Sequence, residues 1–266
     1  MPDESSLFEG LRVGFAEAVV SCRVESAEKA VHAVRTGSRR LEALLRKVLE
    51  DHRGAAGLHR EAEKALKQLD RIRRLAGSVR DLDVQRKLAE GIREEMSSRK
   101  SAAVREDVAK EYERLDGYLK RRRERGADAL REGLTKRELK VEQALELTAE
   151  EMKGLTAQGP SPLVTARRWT QRSAAKLGEL DEGNLHDFRK RTKAARYVAE
   201  LQKESLAAKR FARELRGVQD AIGGWHDWEL LLELARDVVG EDSLMVGALM
   251  KKRDASFRAA LRKARA

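Results

Sequence analysis

Histidine and arginine recur in one frame at two places along the chain. His32-Ala-Val-Arg35-Thr-Gly-Ser-Arg39 reads His-x-x-Arg-x-x-x-basic, and His186-Asp-Phe-Arg189-Lys-Arg-Thr-Lys193 reads the same. At about 100° per residue, a helix brings Arg35, Arg39 and Arg46 within about 60° of His32, with Arg40 alongside. On the second segment Arg189, Lys193 and Arg196 lie within about 80° of His186, beside Lys190. Val34, Leu41, Leu45 and Val48 take the opposite pole of the first wheel, and Phe188, Ala195 and Val198 that of the second. Two narrow basic stripes result, read here as lacking acidic partners one turn away. A third row, Lys64, Lys67, Arg71 and Arg74, has the partial counterpart Arg210 and Arg213, with Gly217 at the position of Arg71. Guanidinium grips phosphate through two parallel N–H bonds, and lysine acts as a mobile point charge. Cations repeating at about 5 Å along a helix suit a polyanion of closely spaced charge.

Other chemistry finds little support. Neither stripe histidine has a second His or Cys at a zinc-ligand spacing, and no Walker-type phosphate loop occurs. Cys22 reads as a small core residue. Trp225 and Trp228 read as core-packing aromatics, and His52 and His59 as surface residues of a polar loop. Lys120-Arg-Arg-Arg-Glu-Arg125 reads as a solvated helix face. Arg80-Asp-Leu-Asp83 is expected to cap and pin the next helix, with Arg80 free to pair with a carboxylate. No catalytic residue, metal site or cofactor is expected.

The elements that must carry these residues are helices. Of 266 residues, 38% are charged, 41% hydrophobic and only 4% aromatic, with three prolines. That composition supports a core, disfavours an all-β chain and leaves no apolar run near the ~20 residues of a membrane span. One cysteine excludes a disulfide framework. Met1-Pro2-Asp3-Glu4 has neither a basic n-region nor an apolar h-region, which predicts no secretory signal and a cytoplasmic protein. Helical periodicity predicts a helix from Ser26, as N-cap, to about Glu50, another over Leu58–Ala76, a stretch after Asp81, then Ser101–Arg131 and Gly133–Lys153. Gly154 to Pro162 is the strongest break. It divides an N-terminal half, 1–153, from a C-terminal half, 163–266, across a 154–162 linker. Beyond it helices are expected at about 163–180, 183–204, 207–222, 225–239 and 242–264. The net charge of +11 leans toward the C-terminal half.

A second motif repeats in the same order as the first. Leu75-Ala-Gly77-Ser-Val-Arg-Asp81-Leu-Asp83 and Ala221-Ile-Gly223-Gly-Trp-His-Asp227-Trp-Glu229 both place Asp four residues after Gly and an acid two later. Two matches in order point to a duplicated helical unit.

At these residues the sequence resembles the CHAD family, the conserved histidine α-helical domains. The family's frames fall on His32, Arg35, Arg39 and Arg40, then on Arg80 to Val84. They continue on His186, Arg189, Lys190, Lys193, Arg196 and Tyr197, and end on a turn holding Gly223 and Asp227. The resemblance spans about residues 8–260. It departs at Glu42, where a further Arg often stands, and at His226, where Asn is usual. The resemblance implies an all-α protein of two helical bundles related by a pseudo-twofold axis, with long antiparallel helices and a basic central surface or pore. It further implies binding of inorganic polyphosphate and association with polyphosphate granules and their proteins. The Glu-x-Glu-x-Lys mark of the triphosphatase domain to which some such proteins are fused does not occur.

The expected function is therefore non-catalytic polyphosphate binding. His32, Arg35 and Arg39 would face His186, Arg189, Lys193 and Arg196 across the pseudo-twofold. Nucleic-acid binding fits the net charge equally well, but few aromatics exist to stack bases. An enzyme of phosphate chemistry using the histidines is the third class.

Overall fold

The computed structural model describes residues 4–99, 101–155 and 159–265. The acidic Met1-Pro2-Asp3 and residues 156–158 of the central break lie outside the described residues. Eight helices and no strand occur among those described: α1 Glu4–Val24, α2 Glu28–Asp51, α3 Ala56–Arg99, α4 Ala102–Met152, α5 Pro162–Leu177, α6 Leu185–Leu201, α7 Leu206–Val239 and α8 Leu244–Arg265. The fold is all-α, as expected.

Three helices are longer than the sequence pattern suggested. Gly77, Gly133 and Gly223 were read as breaks or turns, yet α3, α4 and α7 run straight through them. The apolar period explains α3: Leu69, Ile72, Ala76, Val79 and Leu82 are all buried at steps of three and four. An interior glycine costs a helix about 1 kcal/mol, less than continuous burial of that stripe returns. Arg80-Asp-Leu-Asp83 accordingly lies within α3 and caps nothing. Ser26 is not the N-cap of α2 either. Ala27 holds that position without a side-chain cap, while Ser26 Oγ donates to the Cys22 carbonyl.

The chain forms two compact units, each assembled from three segments. One comprises Met1–Ser78, Ala127–Gly178 and Lys190–Arg216; the other comprises Val79–Gly126, Glu179–Arg189 and Gly217–Ala266. Both units draw on residues before and after the Gly154–Pro162 break, so grouping by contact does not follow sequence order.

In the first unit α1 lays Phe8, Phe15, Val19 and Cys22 inward. Gly37 of α2 leaves room for the Phe15 ring, which lies 3.1 Å from where a Cβ would stand. Ala166, Ala195, Ala199 and Ala212 form a small-residue seam with Leu215, which lets α5, α6 and α7 approach closely. α5 opens with Pro162 in its first turn, where the missing N–H costs nothing. In the second unit Leu82, Ile92, Val108, Leu115, Leu119, Leu231, Met245, Val246 and Leu249 build a core from α3, α4, α7 and α8. Trp228 packs against it. Trp225 and Cys22 are buried. His52 departs from expectation: it is 6% exposed, closing α2 beside Glu4, and a His59 ring nitrogen lies 3.2 Å from its carbonyl oxygen.

Candidate functional site

In the first unit the stripe faces of α2 and α6 meet. Ala43, which falls about 20° from His32 on the α2 wheel, is buried in one cluster with Tyr197 and Val198. At Tyr197 the face of α6 is therefore covered. Lys193 and Tyr197 are each 7% exposed, because α6 is covered on both sides.

Arg39 lies in this region. Its Nε is buried with no hydrogen-bond partner among the described residues. Burial, reinforced by the neighbouring cations Arg35 and Arg73, pushes its pKa down to about 10, while Tyr197 and Glu42 offset only part of the effect. Arg39 remains charged at neutral pH, and that charge is incompletely compensated. Arg73 was missed by the sequence reading, which took its neighbour Arg74. Arg73 Nε donates to Glu42 at 3.0 Å and also reaches Asp70, so the acid at the departure position 42 holds a cation in place.

Arg196 lies 4.2 Å over the Tyr197 ring, a cation–π arrangement. It also pairs with Glu200 at 2.9 Å, one turn on, and Glu200 takes Arg216 as well at 2.8 Å. The expectation that the stripes lack acidic partners one turn away fails here, since Glu200 lies within reach of both arginines.

The duplicated glycines have a common role. In the first unit a Cβ on Gly77 would lie 3.7 Å from Arg35 Nε; in the second, a Cβ on Gly223 would lie 2.5 Å from Arg189 Nη2. In both cases the arginine of the histidine motif lies against the bare helix surface at the glycine of the second motif. Arg189 exploits it further, donating from Nε to the Gln219 carbonyl at 3.0 Å, one turn before Gly223. At Gly223 the missing side chain is a notch for the Arg189 guanidinium, whereas at Gly77 a Cβ would meet Arg35 only in ordinary contact.

Two more contacts organise the second unit. His226, at the position of Arg80 in the repeat, stacks on His186 with ring centroids 4.1 Å apart. Arg80 Nη1 contacts Asp81 and Asp227 at 3.0 Å each, uniting the aspartates of both copies of the Gly-x-x-x-Asp motif. Burial opposes the charge on Arg80, but the two carboxylates raise its pKa above the ordinary arginine value.

The remaining candidates stand apart from these contacts. His32 is exposed, its ring nitrogen 3.3 Å from Thr36 Oγ1. Arg40, Arg46, Lys67, Arg71, Lys190 and Arg210 are exposed. Lys64 pairs with Glu61 at 3.0 Å, and Arg74 Nε donates to Asp70 at 2.8 Å. Arg213 lines a cleft of about 310 Å³ with Lys203, Lys209, Arg216 and Glu200. The Lys120–Arg125 run is mostly exposed, with Arg123 held by Asp83 at 2.9 Å. Among the described residues no group of three or more His, Cys, Asp or Glu side chains could hold a metal ion. No helix among them is long and apolar enough to cross a membrane.

The family model for the CHAD domain matches residues 15–236. Among solved structures, PptA from Streptomyces chartreusis aligns with a TM-score of 0.70 at 12% identity, covering 99% of this chain and 98% of that one. The crystal structure of the CHAD domain from the plant Ricinus communis aligns with a TM-score of 0.59 at 16% identity, covering 97% of this chain and 90% of that one. At these identities the likeness is one of fold. No curated protein sequence matches the chain.

Proposed function

The chain belongs to the CHAD domain family, and from that premise we propose that it binds inorganic polyphosphate without cleaving it, at polyphosphate granules in the cytoplasm. The observation that carries this reading is the state of Arg39, a half-buried cation whose pKa is lowered by burial and by Arg35 and Arg73. A half-buried guanidinium crowded by other cations carries an electrostatic cost, which a bound anion relieves.

The aromatic residues support a ligand without bases. Tyr197 is 7% exposed and covered by Arg196, and Trp225 is 2% exposed. Trp169 is partly buried, packed against the alanine seam of α5, α6 and α7 and against Ala43, Tyr197 and Val198. None of these rings offers the open face that single-strand binding uses. Phosphoryl groups need only charge and N–H donors, which Arg35, Arg39, Arg189, Lys193 and Arg196 supply.

The test is titration of the full chain with long-chain polyphosphate, followed by electrophoresis of the polymer after incubation with and without Mg²⁺. Saturable binding with unchanged chain length is expected. Absence of binding at low salt overturns the binding reading. Shortening of the polymer that disappears in His186→Ala overturns the non-catalytic one.

A further inference from the structure

The basic row on α3 and its counterpart on α7 differ at one position, and the fold supplies what the duplication lacks there. On α3, Lys64 is tied to Glu61 and Arg74 to Asp70. Lys67 and Arg71 are exposed and make no ion pair among the described residues. The positions equivalent to Lys67 and Arg71 on α7 are Arg213 and Gly217. Arg213 keeps its cation. Gly217 has no side chain, Asp220 stands at the position of Arg74, and the neighbouring Arg216 is held by Glu200 at 2.8 Å.

A lysine from the C-terminal helix lies at this gap. Lys263 Cε is 3.5 Å from where a Cβ on Gly217 would stand. Lys263 is exposed and, among the described residues, forms no ion pair, whereas Arg265 in the same turn is committed to Glu179 and the Leu180 carbonyl. Its aliphatic stem covers the bare helix at Gly217, and its ammonium remains in solvent. Any longer residue at 217 would compete for that space.

We propose that Lys263 is a polyphosphate-binding residue, supplying at Gly217 of α7 the cation that Arg71 supplies on α3. This rests on the polyphosphate reading above and extends the site to a helix beyond the stretch matched by the family model. A lysine reaching in from α8 gives a mobile point charge where the first copy has a guanidinium fork, so the contact favours charge density over fixed geometry.

The experiment compares wild type, Lys263→Ala, Arg262→Ala and the double variant Lys263→Ala with Gly217→Lys. Each is titrated with long-chain inorganic polyphosphate from 0.05 to 0.3 M salt, and circular dichroism is recorded for each. With one cation lost, affinity of Lys263→Ala at ~0.15 M salt should fall roughly three- to tenfold. The slope of log affinity against log salt should fall by about one. The double variant should recover both, because its new side chain enters the space Lys263 vacated. Arg262→Ala should change affinity less than Lys263→Ala. If wild type binds and Lys263→Ala matches it, or Arg262→Ala loses as much, or the double variant gains nothing, the assignment of Lys263 is overturned while the functional reading stands. If wild type fails to bind, the functional reading fails, and the assignment with it.

Discussion

Arg35 against Gly77 and Arg189 against Gly223 are one contact made twice, loosely in the first copy and tightly in the second. Beside Arg35 stands Arg39, on which the charges of Arg35 and Arg73 act together, with Glu42 the nearby acid of Arg39. Around Arg189 the corresponding places hold Lys193 and Gln219, and Arg189 presses closer to the helix and bonds its backbone. In the first copy Arg39 is crowded by neighbouring cations. The second carries a guanidinium fixed by backbone contact. The duplication kept an arginine facing a glycine and let the closeness of that contact diverge.

The largest way to break this comparison is to reverse both arginines. Arg35→Glu with Arg189→Glu should reduce polyphosphate affinity by on the order of a hundredfold or more, since each charge-assisted contact contributes about 1.5–3 kcal/mol. Far-ultraviolet circular dichroism should remain that of a helical protein.

The notch itself can be sharpened by adding one methyl group to each copy. Gly223→Ala forces Arg189 to move, because its guanidinium occupies the space at 2.5 Å. About 1 kcal/mol lost with the Gln219 bond is offset by about 1 kcal/mol of helix propensity. Thermal stability should shift little, while affinity falls about tenfold. Gly77→Ala meets only an ordinary contact at 3.7 Å, so it should raise stability by up to about 1 kcal/mol and leave affinity unchanged. Calorimetry and polyphosphate titration of the pair check both signs.

Arg39→Met probes the crowding in the first copy. Removing a half-buried, poorly compensated cation and keeping its volume should stabilise the fold by about 1 kcal/mol in denaturant titrations. Affinity should fall severalfold at the same time, the opposed signs expected of a residue retained for binding.

The smallest effect concerns Glu50, one turn after Arg46 on α2. Burial opposes its ionisation, yet hydrogen bonds from Trp169 and Arg172 and the charge of Arg168 hold its pKa below the ordinary 4.5. A carboxylate so depressed stabilises the fold above its unfolded pKa and loses that contribution as pH falls through the folded value. Glu50→Gln should be about 1 kcal/mol less stable at pH 7, with the gap closing as pH drops below about 4.5. Urea titrations at pH 7 and pH 3.5 measure both.

The helical class, the order of the repeats and the identities of Arg35, Gly77, Arg189 and Gly223 were all legible in sequence, because periodicity and duplication are properties of the chain alone. The purpose of the glycines was not. A helix-interior glycine and a turn glycine look alike until the arginine that lies against one of them is placed. The wheel of α6 likewise put Lys193 opposite Phe188 and Val198 but could not reveal that Tyr197 and Ala43 bury the other side. Arg73 escaped for the same reason, because its partner Glu42 is near in space and distant in sequence, and although Arg80 and Asp227 were both marked in the sequence, their pairing with each other was not. His226 was visible only as a departure from a pattern, and its stacking on His186 gives that departure a structural role.

The most direct test of the central claim is competition for a labelled long-chain polyphosphate at ~0.15 M salt, with unlabelled polyphosphate, duplex DNA and RNA matched in phosphate concentration. The account predicts displacement by polyphosphate and little by either nucleic acid, because Tyr197 and Trp225 are buried and offer no stacking face. Equal displacement by all three would contradict it.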